Sequence, residues 1–244
     1  MSINVGHKRK LKTIWKEWKT TFFVILVIMI VRSSFFNWYT IPSSSMNPTL
    51  VEGDIVTVNM MAYDLHLPFT NINLHTFSEP ERGDIIATFM NDEGNSIRYV
   101  KRVIGKPNDR IKMVNNIIYV NDVAFSQTPN NLDLNELPQA REGFAYKTFN
   151  EKQGDLEYPV IYAVSKKGYD MTQYLKNNTI KNFNEIVVPE GKYFIMGDNR
   201  NLSKDSRFIG FADRDDIIGK ITGVTFNYSS LYTETPIRLF KDVY

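Results

Sequence analysis

Ser45 is the residue of this chain that is best placed to act as a nucleophile. It lies in the segment Ile41–Leu50, just beyond a stretch whose length predicts a membrane crossing. The chain has no cysteine and only three histidines, His7, His66 and His75. A serine hydroxyl is a weak nucleophile and needs an adjacent base, which can be a lysine as well as a histidine. We therefore expect a base other than imidazole to accept the Ser45 proton.

Lys101 is the lysine whose surroundings best suit a general base. Such a lysine must be uncharged near neutral pH, and because the ordinary lysine pKa is about 10.4, the amine has to be desolvated among apolar groups. Lys101 follows Tyr99-Val100 in a predicted strand that continues through Val103-Ile104. Strand alternation can turn Lys101 inward, with Arg98 and Arg102 on the opposite face. The alternative is an ordinary solvated strand lysine.

Positive charge is concentrated at the N-terminus. Six lysines and arginines fall within the first 19 residues against one acid, Glu17, which leaves 23 basic and 26 acidic residues in the remainder. Nucleic-acid binding needs a basic face on the folded part, so no nucleic-acid partner is predicted. Metal catalysis is not indicated, because His-Glu-x-x-His and cysteine pairs are absent and His66 and His75 are predicted to lie in loops. We predict no cofactor and no metal.

A membrane anchor is predicted at residues 20–39. Phe22–Val31 is an unbroken run of ten apolar residues, and a helix over the whole span would be about 30 Å long, enough to cross a bilayer core. The preceding basic residues predict a cytoplasmic N-terminus and an extracytoplasmic remainder, and Arg32 should snorkel to the outer headgroups. The alternative is a cleaved signal peptide with a site such as Ser43-x-Ser45, which would separate Ser45 from its anchor.

The rest of the chain is predicted to be mainly β. Short β-branched runs separated by turn residues predict hairpins over residues 84–104 and 111–120. Residues 125–184 carry looser signals and are predicted to form an inserted subdomain. The predicted organisation is a basic cytoplasmic segment at 1–19, the anchor at 20–39, a β domain at 40–124 and 185–244, and the insert at 125–184.

Five sequence blocks follow the predicted anchor. In chain order they are Ile41–Leu50, Gly53-Asp54, Arg82–Ile85, Tyr99–Gly105 and Gly197–Arg207. Together these blocks resemble the bacterial type I signal peptidases, also called leader peptidases. The resemblance runs in scattered blocks from the anchor to about Gly223 and does not include the insert. It implies a largely antiparallel β catalytic domain with a more variable second subdomain.

The resemblance also implies roles for individual residues. Ser45 would be the nucleophile and Lys101 its general base. Ser43 would donate its hydroxyl to the oxyanion hole beside the Ser45 amide, and Ser203 would orient the lysine amine. A shallow pocket for a small substrate side chain would be lined by five apolar or aromatic residues. These are Ile41, Met46, Leu50, Tyr99 and Val100.

The last block departs from the family pattern at Asn201-Leu202, where an acidic or amide residue followed by asparagine is usual. Ser203, Asp205 and Arg207 keep their places. We predict that Asp205 and Arg207 form an ion pair that braces Ser203. The alternative is a solvated turn.

The resemblance implies a membrane-anchored serine endopeptidase that removes signal peptides from exported preproteins. It would cut after a small residue through an acyl-enzyme intermediate, at the outer face of the cytoplasmic membrane. Preprotein signal peptides and membrane lipid would be its partners. One alternative is a dedicated maturation peptidase with the same Ser/Lys chemistry, and another is a membrane-tethered β adaptor without enzymatic activity.

Overall fold

Antiparallel strands form most of the chain beyond its first helix. The computed structural model describes residues 4–70, 72–132, 144–170, 173, 179–228 and 237–243. Its helices and strands are α1 (Asn4–Ser34), β1 (Phe36–Thr40), β2 (Asp54–Asn59), β3 (Asp64–His66), β4 (Asn73–Thr76), β5 (Ile85–Asp92), β6 (Asn95–Gly105), β7 (Arg110–Val114), β8 (Ile117–Val120), β9 (Val123–Ala124), β10 (Ser126–Pro129), β11 (Phe144–Gln153), β12 (Leu156–Ser165), β13 (Phe183–Val187), β14 (Lys192–Met196), α2 (Ser206–Ile209), β15 (Ala212–Asp213), β16 (Ile217–Asn227) and β17 (Leu239–Asp242).

The largest sheet contains eight of these strands. Their spatial order is β1-β2-β16-β5-β6-β14-β15, with β17 paired to β16. Three smaller sheets have the orders β10-β11-β12, β13-β7-β8-β9 and β3-β4. The pairs between these strands are antiparallel, so the predicted mainly β, antiparallel fold is confirmed.

The first helix and the residues after it differ from the sequence prediction. Helix α1 ends at Ser34, and residues 36–40 form β1, which pairs with β2 from Phe36 opposite Asn59 to Thr40 opposite Ile55. The prediction of one helix over residues 20–39 is therefore wrong at its C-terminal end, because an apolar run alone does not distinguish a helix from a strand. Within the described residues, no helix combines the length and apolar character that crossing a membrane requires.

Both predicted hairpins are confirmed. Strands β5 and β6 are joined by Glu93-Gly94, and strands β7 and β8 by Asn115-Asn116. All four turn residues have positive φ, which two-residue hairpin loops of type I′ require. The first of these hairpins matters for the site, because β6 carries Lys101.

Strand β6 is buried on both faces in its second half. Lys101, Arg102, Val103 and Ile104 are all buried there, although strand alternation points them in opposite directions. Val103 packs in one core cluster with Ile86 and Met90 of β5, while Ile104 packs in another. Lys101 is therefore buried, as its predicted inward position requires, and Arg102 on the opposite face is buried as well.

The inserted region packs on the rest of the β structure. Strands β10, β11 and β12 lie within residues 125–184 and form their own sheet. Tyr158 and Val160 of β12 nevertheless belong to the same core cluster as Ile104 of β6 and Phe194 of β14. Parts of this region, residues 133–143, 171–172 and 174–178, lie outside the described residues.

Candidate active site

Ser45 lies in a tight turn between β1 and β2. Residues 44–46 form a single 3-10 turn, closed by a hydrogen bond from the Asn47 N–H to the Ser44 carbonyl at 3.1 Å. Met46 is buried below this turn, whereas Ser45 is only partly buried. The apolar Met46 therefore fixes the turn in the core, while the Ser45 hydroxyl stays accessible.

Lys101 reaches Ser45 from strand β6. Its Nζ lies 2.7 Å from Ser45 Oγ and 3.0 Å from the Val100 carbonyl oxygen. Burial lowers the pKa of the Lys101 amine to about 8, although the charges of Asp205 and Asp198 act in the opposite direction. The amine can thus lose its proton at mildly alkaline pH and accept one from Ser45.

Two further serines border this pair. Ser43 Oγ lies 3.4 Å from Ser45 Oγ, to which it donates a long hydrogen bond. Ser203 Oγ donates to Asp205 Oδ2 at 2.7 Å, and in the described structure it makes no hydrogen bond to Lys101. Because the Ser203 proton is used on Asp205, its oxygen keeps its lone pairs for the lysine amine.

Asp205 is the centre of a buried polar cluster behind Ser45 and Lys101. Its carboxylate accepts hydrogen bonds from Arg207 Nε and Nη2 at 2.8 and 2.7 Å, from the Gly197 N–H at 3.0 Å and from Ser203. Burial would raise the pKa of this carboxyl, but Arg207 and the other donors hold it below its usual value. Asp205 thus contacts both Arg207 and Ser203 directly.

A cleft of about 720 Å³ runs past Ser45 and Lys101. Four of the five predicted pocket residues line it, namely Ile41, Met46, Tyr99 and Val100. Leu50 does not, contrary to the sequence prediction. It is fully buried and packs in the core cluster of Val56 and Val58. The cleft wall also includes residues that the prediction omitted, among them Ile97, Arg98, Phe144, Leu202, Lys204 and Phe208.

An ion pair that the sequence prediction missed lies next to Lys101. Arg102 and Asp198 are both fully buried, and two hydrogen bonds join them, from Nε to Oδ1 at 2.9 Å and from Nη2 to Oδ2 at 2.7 Å. Thr49 donates its hydroxyl to Asp198 Oδ2 at 2.5 Å. The only signal in the sequence is an arginine directly after Lys101, and its partner lies 96 positions away.

The loop that carries Asp198 also contacts the turn at residues 44–46. Asn199 donates its backbone N–H to the Ser45 carbonyl at 3.1 Å and its side-chain amide to the Ser44 carbonyl at 3.1 Å. A Cβ atom added at Gly197 would overlap Ser203 Oγ and the Ser45 carbonyl oxygen. The turn at residues 44–46 and this loop are thus packed so closely that their backbones are in contact.

Comparison with known proteins gives the family. Residues 14–226 match the profile of the family described as Signal peptidase, peptidase S26. The chain belongs to this signal peptidase family. It is 31% identical to the Signal peptidase I of Rickettsia canadensis over 94% of this chain and 86% of the relative. It is 29% identical to that of Rickettsia typhi over 98% and 90% of the two chains.

The resemblance seen in the sequence blocks is therefore confirmed, and this signal peptidase is a serine endopeptidase. A crystal structure of a signal peptidase I from Enterococcus faecalis V583 covers 60% of this chain and 100% of its own, at 26% identity and a TM-score of 0.33.

Among the described residues, no group of His, Cys, Asp and Glu side chains is arranged to hold a metal ion.

Replacing Gly197 by alanine should abolish most of the peptidase activity while the protein stays folded. The added methyl group must displace Ser203 or the Ser45 backbone, and a displacement of about 1 Å at a reacting group can cost about 100-fold in rate. Turnover of a preprotein and thermal unfolding should be measured together. Gly168→Ala is the matched control, because a Cβ there meets nothing within 4 Å and adds only the strain of its positive φ. Full activity of Gly197→Ala would contradict the close packing described above.

Proposed function

We propose that this signal peptidase cuts preproteins with Ser45 as the nucleophile and Lys101 as the general base. One observation supports this assignment above the others. The Lys101 amine lies 2.7 Å from Ser45 Oγ, and its burial lowers its pKa to about 8. An uncharged amine has one lone pair, which can accept the serine proton.

The reaction then proceeds through an acyl-enzyme. Ser45 Oγ attacks the scissile carbonyl carbon as its proton moves to Lys101 Nζ. The Ser45 N–H and the Ser43 hydroxyl stabilise the oxyanion, each worth about 3 kcal/mol in comparable sites. The C–N bond breaks, and the leaving amine takes the proton from Lys101. Water then attacks the ester, Lys101 accepts the water's proton, and the signal peptide leaves as a carboxylic acid while Ser45 recovers its hydroxyl proton.

The substrate would bind as an extended strand. Strand β6 pairs with β14 only over residues 102–105, so within the described structure its residues 97–101 have no partner strand on that side. Backbone pairing there tolerates varied sequences. Ile41, Met46 and Val100 then form an apolar wall next to Ser45, which suits a small side chain before the cut.

The membrane location is part of the same proposal. The basic N-terminus and the apolar residues 22–31 support a cytoplasmic N-terminus with the Ser45 domain outside. Protease added to the outer face of intact cells should digest an epitope tag fused after Tyr244 and spare one at Ser2. The reverse pattern would overturn this orientation. An N-terminus beginning beyond Ser43 would instead favour the cleaved-signal alternative.

Ser45→Ala should abolish preprotein cleavage without unfolding the protein, because it removes only the nucleophilic oxygen. The assay is a set of unrelated preproteins incubated with purified full-length protein. Ser44→Ala is the matched control, since the Ser44 hydroxyl has no hydrogen-bond partner among the described residues and the control should stay active. Cleavage of several unrelated preproteins separates general signal peptide removal from a dedicated maturation peptidase. Near-normal cleavage by Ser45→Ala would refute the proposal.

Activity should rise with pH through about 8. The Lys101 pKa is lowered to about 8, so the amine is protonated and inactive below that value and free to accept a proton above it. The rate should level off about one pH unit higher. Lys101→Arg should be inactive at every pH, because arginine does not deprotonate in proteins. A flat profile from about pH 6 to 9, with chemistry shown to limit the rate, would count against Lys101.

A further inference from the structure

Arg98 differs from the other arginines of the β structure. After α1, every other described arginine pairs with a carboxylate. The pairs are Arg82–Asp109, Arg102–Asp198, Arg110–Asp122, Arg200–Glu151, Arg207–Asp205, Arg214–Asp64 and Arg238–Asp54. The Arg98 side chain has no carboxylate or hydrogen-bond partner among the described residues, and its contacts are with aromatic rings.

Two aromatic rings lie close to the Arg98 guanidinium. Arg98 Cζ lies 4.0 Å from the centre of the Tyr39 ring and 5.6 Å from that of Phe89. A guanidinium that stacks on a ring keeps its N–H donors in the plane of the group, free for a carboxylate in the two-bond arrangement that arginine favours. Tyr39 and Phe89 therefore contact the Arg98 guanidinium, and no described residue accepts a hydrogen bond from its side chain.

Arg98 lies in the wall of the substrate cleft. Arg98 and Tyr39 line the same cleft as Ser45 and Lys101. Tyr39 lies on β1 and Arg98 on β6, so their contact joins two strands that border the cleft. Arg98 precedes Lys101 by three residues, about 10 Å along a strand. An extended peptide with its scissile bond at Ser45 would therefore pass Arg98 about three residues from the cut.

The other two cations among the described residues of the cleft, Lys101 and Lys204, already have polar partners. Lys101 contacts Ser45, and Lys204 lies 2.6 Å from Asp92 Oδ1. We propose that Arg98 is a specificity-determining residue that binds an acidic side chain of the preprotein, about three or more residues from the cut. This inference rests on the proposed function, since it requires a peptide in this cleft.

The test uses peptides that carry a single Asp, Asn or Lys, moved in turn through positions about three to six residues from the cut on either side. At one of these positions the full-length protein should cleave the Asp peptide about fivefold more efficiently than the Lys peptide, mainly through KM, as one exposed charge pair allows. Arg98→Gln should abolish this preference, and Arg98→Glu should reverse it. Lys167→Glu, an equal charge change at an exposed turn, should leave the preference intact.

Two outcomes would overturn the assignment of Arg98. One is equal cleavage of the three peptides at every position by the unmodified protein. The other is an equal loss of activity on all peptides in Arg98→Glu, which would mean that Arg98 maintains only the shape of the cleft. Either result is compatible with Ser45-dependent cleavage of the Asn peptides, so the proposed function would survive. Binding of the same labelled peptides to Ser45→Ala protein provides a second readout that needs no turnover.

Discussion

The buried ion pair between Arg102 and Asp198 is the constraint on which the site depends. Moving two charges out of water costs several kcal/mol per ion, and only good geometry recovers this cost. Two hydrogen bonds join the charges, and Arg102 also donates to the Gly83 carbonyl at 2.8 Å. Because Arg102 is fixed to Asp198, strand β6 cannot shift by one residue without burying an unpaired charge. Lys101 is the preceding residue, so the same contact turns its amine to the opposite face, toward Ser45.

The charges behind Ser45 and Lys101 act on the pKa of the Lys101 amine in opposite directions. Asp205 and Asp198 both favour the protonated amine and on their own would raise its pKa. Each carboxylate, however, has its own arginine at hydrogen-bond distance. The charge of Arg207 also acts directly to lower the lysine pKa. Desolvation of the amine therefore prevails, and the net effect is a lowered pKa. Without the charge of Arg207, the pKa of the Lys101 amine would be higher.

The sequence predicts the local features well and the long-range ones poorly. The two hairpins follow from turn residues such as Asn115-Asn116, and the pairing of a serine with a desolvated lysine follows from residue chemistry and family resemblance. The partner of Arg102 lies 96 positions away, so no local pattern reveals it. Leu50 is apolar and close to Ser45 in sequence, yet only the packing of the turn shows that it faces the core. The apolar character of residues 36–39 also fits a helix. Their main-chain partner, β2, is known only from the fold.

The inserted region contributes to the site through the backbone. Its strand β12 pairs with the loop after Gly197, since the Ile161 N–H bonds to the Asp198 carbonyl at 3.0 Å and the Arg200 N–H to the Ile161 carbonyl at 2.9 Å. Asn201 continues this pairing with its side chain, which bonds to the N–H and carbonyl of Ala163 at 2.7 and 2.6 Å. The loop therefore contacts the insert on one side and the Ser45 turn on the other. The insert also holds the loop through a side chain, because Glu151 of β11 forms a buried ion pair with Arg200 of the loop.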